Sequence, residues 1–295
     1  MLSFEPELEN APPALIRIQR REIFSLYPEI RILAWLGAML IASGVSVFIA
    51  HHVREIGPLT IAIAIAAIAA GCYARAWMRR GSPSLVDDSI LMLGAMLVSA
   101  DAGWIESQWH LAGPRMLLIV ACIHAAGAYA YESRALLSLA ISAIAAWLGI
   151  DRKLDLFFET DVEIANRFLL CAAILMVWRE SDRRIRRQTT FTAVFDHTAI
   201  TLAFWGSLIL TFNSGTHLLG LALTLALAAI AVVYAFRKNA EPFLFYAAIY
   251  ATIAVDAASF DLIHDGIART FIVMLSAIAA VIALLVIHVR FRRNA

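Results

Sequence analysis

Long apolar runs separated by short charged clusters constrain this chain more than any other feature. A helix needs roughly 20 apolar residues to cross ~30 Å of bilayer hydrocarbon. Runs of that length recur from one end of the sequence to the other. Of 295 residues, 61% are hydrophobic and 16% charged, against about 25% charged in a soluble domain. A soluble chain would also bury an apolar core, but it would keep a charged shell to hold it in water. The reading is an all-α, polytopic integral membrane helix bundle. Strands of a transmembrane barrel would alternate over about ten residues, and no such alternation is present.

Ten spans are expected, at 30–50, 57–77, 85–104, 115–131, 134–150, 163–178, 195–212, 217–236, 243–262 and 267–289. The fourth, fifth and sixth are the shortest. With the N-terminus placed inside, the lysines and arginines favour the inner segments threefold, as the positive-inside rule requires. Both termini are then cytoplasmic. Residues 1–29 form a cytoplasmic N-terminal segment, 30–289 the transmembrane domain and 290–295 a basic tail. Within the first segment, residues 14–27 can form an amphipathic helix lying on the membrane surface, with Leu15, Ile18 and Ile23 opposite Arg17, Arg20 and Arg21. An ordinary soluble extension is the simpler alternative. The basic stretch from Arg179 to Arg187 reads as an inner loop. It serves the topology signal and offers a contact for anionic lipid beside the bilayer itself. A net charge of +1 gives no reason to expect nucleic acid.

A duplicated two-helix hairpin is expected in the first four spans. Leu36–Leu40 and Leu93–Leu97 are both LGAML. Gly57-Pro58 returns as Gly113-Pro114, and the AAGCYA at Ala69–Ala74 returns as AAGAYA at Ala125–Ala130. Stripes of small residues, Ala62/Ala66/Ala70/Ala74 and Ser138/Ser142/Ala146, read as surfaces where helices approach closely. Cys72, Cys122 and Cys171 read as small buried residues, since no CxxC pair or metal spacing is present.

An ionisable residue within a span is a candidate functional group by default, because its insertion costs ~2.5–3.5 kcal/mol. Asp101, His124 and Asp256 form the candidate intramembrane polar cluster. Asp101 and His124 are equidistant from the turn at Ala112-Gly113, so they share a depth of ~15 Å below it. They are expected to face the interior and meet directly or through one water, with Asp256 at similar depth. Structural hydrogen bonding is the bland reading of all three. Glu106, His110, Asp261 and His264 are polar groups near the outer ends. Asp87 and Asp88 read as helix-start acids favoured by the dipole, His51 and His52 as interfacial. Asp196 and His197 are expected at the inner interface, solvated. No cofactor or metal site is signalled: HExxH, GxSxG and phosphate-binding glycine loops are all missing, so an enzyme is the less favoured class.

Several stretches carry a family resemblance. RREIFSLYPEIR (20–31), LGAMLIASGVSVFIA (36–50), REIGPL (54–59), LVDDSILMLGAMLVSADAGWIESQWHL (85–111) and ESRALLSLAISAIAAWLGI (132–150) resemble bacterial predicted membrane proteins of domain-of-unknown-function family 2157. The sequence departs from that family's pattern at Ala50-His51-His52, where an Ala-Asn-Trp type turn is usual. The resemblance implies a bacterial inner-membrane protein and no catalytic residue. The functional expectation is a transporter- or permease-like protein for a proton or small solute. The rival is a structural or assembly protein that binds a partner subunit or lipid.

Overall fold

The computed structural model describes residues 57–79, 85–111, 113–150, 162–186, 191–238, 240–262 and 266–294, together with Gly37, Leu40 and Gly44. Every regular element among them is an α-helix: α1 Pro58–Met78, α2 Leu85–Trp109, α3 Arg115–Tyr131, α4 Arg134–Trp147, α5 Val162–Arg186, α6 Thr192–Phe212, α7 His217–Lys238, α8 Pro242–Leu262 and α9 Gly266–Asn294. The chain divides into two compact units, Met1–Ala64 and Ile65–Ala295. In the first, Gly57 takes φ +84°, a conformation glycine adopts without strain, and Pro58 then opens α1. The expected amphipathic helix at 14–27, the turn at His51-His52 and nearly all of the first span lie outside the described residues, as does the acidic segment 151–161.

Among the described residues, five helices are long and apolar enough to cross a membrane by length and composition: Pro58–Met78, Val86–Trp109, Thr192–Phe212, His217–Lys238 and Pro242–Ser259. Arg115–Tyr131, Arg134–Trp147 and Ile267–Ile282 are apolar but shorter. The expected sixth span differs most. Its helix, α5, runs on through the basic stretch to Arg186, so residues expected as a loop are helical to that point. Glu180 explains this extension, because Arg183 and Arg184 each reach its Oε1 at 3.0 Å across one helical turn.

In the second unit, consecutive helices pack as antiparallel hairpins. Their close approaches are made by glycines rather than by the alanine and serine stripes. A Cβ on Gly94 would stand 2.8 Å from Cys72 Cβ, and one on Gly206 would stand 2.9 Å from the Ala165 carbonyl. One on Gly220 would press on the Leu210–Thr211 backbone, 2.7 Å from Thr211 Cα. Within the stripes, Ala66, Ala70, Ala74, Ser138 and Ser142 are exposed, Ala146 is half-buried and Ala62 is buried. Small apolar side chains face lipid at no cost, so a stripe of them does not by itself specify a contact. The cysteines also differ from expectation: Cys171 is buried, Cys72 half-buried and Cys122 exposed.

Polar side chains inside the hairpins are answered locally. Thr224 Oγ1 lies 2.9 Å from Ser207 Oγ on the neighbouring helix, Ser207 donates to the Phe204 carbonyl, and Thr211 donates to the Ser207 carbonyl. All three hydroxyls are fully buried. At the α3–α4 turn, Glu132 takes φ 53° as the left-handed cap of α3, and Ser133 then caps α4. Aromatic side chains collect near this turn: Trp178 donates to Tyr129 Oη at 2.9 Å, and Phe191 and Phe195 pack against the same pair.

Candidate functional site

Asp101 lies on α2, the most polar of the five long helices. The face that carries it also carries Val98, one turn away. Ser99, two residues back, is rotated by about 200° and faces the opposite way. That rotation decides the neighbourhood of His124. His124 is fully buried on α3, and its Nε2 lies 2.7 Å from Ser99 Oγ, while its Nδ1 has no hydrogen-bond partner. Neither imidazole nitrogen is therefore bonded to Asp101. Ser99 and His124 are at nearly matched positions across the α2–α3 turn, and the serine, not Asp101, is the imidazole's partner.

Asp101 borders a cavity of about 440 Å³ between α1, α2 and α3. Its Oδ1 is buried and has no hydrogen-bond partner. Tyr73 Oη, on the same cavity, is likewise buried and unpaired. Most of the remaining wall is alanine, with Val98, Ile123 and Gly127. Gly127 makes room for Leu136, since a Cβ there would stand 2.8 Å from Leu136 Cδ2, while the Tyr73 ring at 3.6 Å would be in ordinary contact. Tyr131 closes one end, its hydroxyl donating to the Tyr73 carbonyl at 3.0 Å and its ring 5.8 Å from the Tyr73 ring.

Asp256 has its own setting on α8. Ser276 of α9 donates to its Oδ2 at 2.8 Å, and its Oδ1 is buried without a partner. Among the described residues no hydrogen bond joins Asp101, His124 and Asp256 to one another. Glu106 holds the α2–α3 turn, its Oε1 accepting from Gly113 N at 2.9 Å. His110 follows α2 in the left-handed region, φ 48°, and is exposed. His264 and the Asp261 side chain lie outside the described residues.

Asp87 and Asp88 stand in the first turn of α2 as expected, and Asp87 also meets Arg75 at 3.7 Å. His197 stacks on Phe243 with ring centroids 4.9 Å apart.

Asp196 is not solvated at an interface. It is buried, at 8% exposure. Arg179 Nε lies 2.5 Å from its Oδ1, and the directed hydrogen bond runs from Arg179 Nη2 to its Oδ2 at 3.2 Å. Tyr234 Oη donates to the same Oδ2 at 2.5 Å. Three helices, α5, α6 and α7, thus converge on one carboxylate, beside a second cavity of about 320 Å³. Burial costs a carboxylate its hydration, and a guanidinium with a phenol replaces it. The signal for this cluster was present in the sequence. Asp196 and Tyr234 are nearly equidistant from the α6–α7 turn, and Arg179 and Asp196 each lie within two helical turns of the link after α5.

Residues 9–139 match the family model described as predicted membrane protein (DUF2157). The resemblance read from the sequence is borne out over that segment, which includes Asp101, Tyr73 and His124 and ends before Arg179. Neither a curated protein nor a solved structure matches the chain.

Proposed function

We propose that this chain is a ten-span protein of the bacterial inner membrane, with both termini cytoplasmic, and that it binds and moves a proton or small solute through a site at Asp101. The observation that carries the reading is the pair of unspent polar atoms, Asp101 Oδ1 and Tyr73 Oη, on one apolar cavity. Asp196, which joins three helices, is answered on both oxygens. A carboxylate left open toward a cavity is poised to exchange a ligand. The reading includes a duplication of the first four spans, supported by the sequence echoes between them. Gly57 and Gly113 share positive φ and each precedes a proline at a helix start, and repeats are frequent in transporters. The helical basic stretch on α5 supplies exposed Arg183 and Arg184, a contact for anionic headgroups at the cytoplasmic face.

A second reading, assembly with a partner subunit, would use one exposed surface. The α9 face with Phe271, Leu275 and Ile278 is apolar and exposed, and lipid and protein cover such a face equally well. Vesicles containing the purified chain and a lumenal pH dye separate the two. Under an imposed pH gradient, the wild type is expected to dissipate it faster than Asp101→Asn. Equal leakage in both, across proton and solute gradients alike, would leave assembly as the better account.

A further inference from the structure

We propose that the cavity between α1, α2 and α3 takes a lipophilic organic monocation, an amine or quaternary ammonium with an apolar body. Its charge sits against Asp101 and its body against the Tyr73 and Tyr131 rings. The inference rests on reading Asp101 as the solute site and adds the class of solute.

Charge is the first argument. Among the described residues on the wall, Asp101 is the one ionisable side chain apart from the two phenols, and its Oδ1 lacks a partner. A single positive charge neutralises it, while an anion or a neutral polar solute would leave it bare in an apolar surround. Donor number is the second. A metal ion such as Ca²⁺ or Mg²⁺ takes six or more oxygens. The wall offers the Asp101 carboxylate and the Tyr73 hydroxyl, with Tyr131 Oη already donating to the Tyr73 carbonyl. An organic cation needs only one counter-charge and a surface for its carbons.

The rings are the third argument. Tyr73 and Tyr131 stand 5.8 Å apart with planes tilted by 48°, and aromatic faces attract cations within about 6 Å. Access is the fourth. Ala66, Ala70, Ile123 and Ala126 on the wall are all exposed, so the cavity opens sideways between α1 and α3, on the surface that meets lipid. A solute that partitions into the bilayer reaches the carboxylate by that route. The volume of about 440 Å³ lies within the range of small-molecule sites.

Benzyltrimethylammonium and its uncharged isostere neopentylbenzene test the inference by equilibrium dialysis against the full chain in detergent micelles. Saturable binding of the cation is expected, at least tenfold tighter than any retention of the isostere. Asp101→Asn should weaken it tenfold or more. Ala70→Trp should weaken it as much by filling the mouth. Ala70 is exposed, so this second variant keeps the test decisive if Asp101→Asn does not fold, with elution position and melting temperature as the check. Equal retention of the two compounds, or unchanged binding in both variants, overturns the inference. Asp101-dependent proton flux without cation binding overturns it too, yet leaves the broader reading standing. Absence of both flux and binding overturns the two together.

Discussion

Arg179 and Asp196 face each other across the α5–α6 hairpin, the guanidinium Nε 2.5 Å from the carboxylate Oδ1. Both side chains are largely withdrawn from the surface, at 18% and 8% exposure. Removing one partner leaves a buried charge unanswered, whereas removing both leaves only a packing defect. Arg179→Met or Asp196→Leu alone should destabilise the protein by on the order of 3 kcal/mol, and the double change by much less. Tyr234→Phe should cost roughly 1.5–3 kcal/mol, the usual range for a hydrogen bond to a charged group. Thermal unfolding of the four variants in one detergent checks the order. A double variant as unstable as the sum of the single ones would contradict the pairing.

Ser99 and His124 give a second pair. Ser99→Ala strips the buried imidazole of its hydrogen bond, an expected loss of about 1–3 kcal/mol. Ser99→Ala combined with His124→Leu should recover part of that loss. The same melting measurement reads it, and no recovery would mean that His124 is stabilised by something other than Ser99.

Gly220 and Gly71 make a matched comparison. A methyl group on Gly220 meets the backbone of the facing helix, which cannot move aside. Gly220→Ala should therefore cost about 1–3 kcal/mol through overpacking. Nothing lies within 4 Å of a Cβ on Gly71, and Gly71→Ala in mid-helix should be neutral or stabilising by up to about 1 kcal/mol. Yield of monodisperse protein after heating ranks the two, and equal yields would contradict the crossing at Gly220.

Glu180, on α5 beyond Trp178, provides a pH signature. Hydrogen bonds from Arg184 and then Arg183 hold its carboxyl below the ordinary carboxylate range. A lowered value in the folded state means that any stabilisation is present above the unfolded value and is lost as pH falls through the folded one. Arg184→Gln should move the Glu180 titration upward in carbon-detected NMR. The shift should shrink in high salt because the pair is exposed.

Topology is open to direct reading. Reporter fusions after Arg80, Arg187 and Lys238 should signal the cytoplasm, and fusions near Asp155 and Asp265 the opposite side. A cytoplasmic signal at Asp155 would break the ten-span count.

Helix class and most boundaries were legible because hydropathy acts residue by residue. Depth across a hairpin was legible from the distance to the turn. Which of two nearby polar residues faces the neighbour was not. Ser99 and Asp101 share a depth and differ by about 200° of rotation, and rotation is set by packing partners far along the chain. Arg179 was absorbed into a basic cluster, because a topology count treats every arginine alike. Only its register with Asp196 marks it as different. The small-residue stripes misled for a related reason: alanine suits lipid as well as a helix crossing, whereas glycine at Gly206 or Gly220 has no such second use.

The hydroxyl contacts between α6 and α7 bear on how the chain is made. Thr224, Ser207 and Thr211 satisfy one another within a single hairpin. That pair of helices can pass from the insertion machinery into lipid together, before α8 has been synthesised, with none of those three groups left unanswered. Asp196 follows a different timetable. It meets Arg179 once α6 is in place and gains Tyr234 only when α7 arrives. The hydrogen bond from Tyr234 therefore cannot form before the third helix of the set has been made.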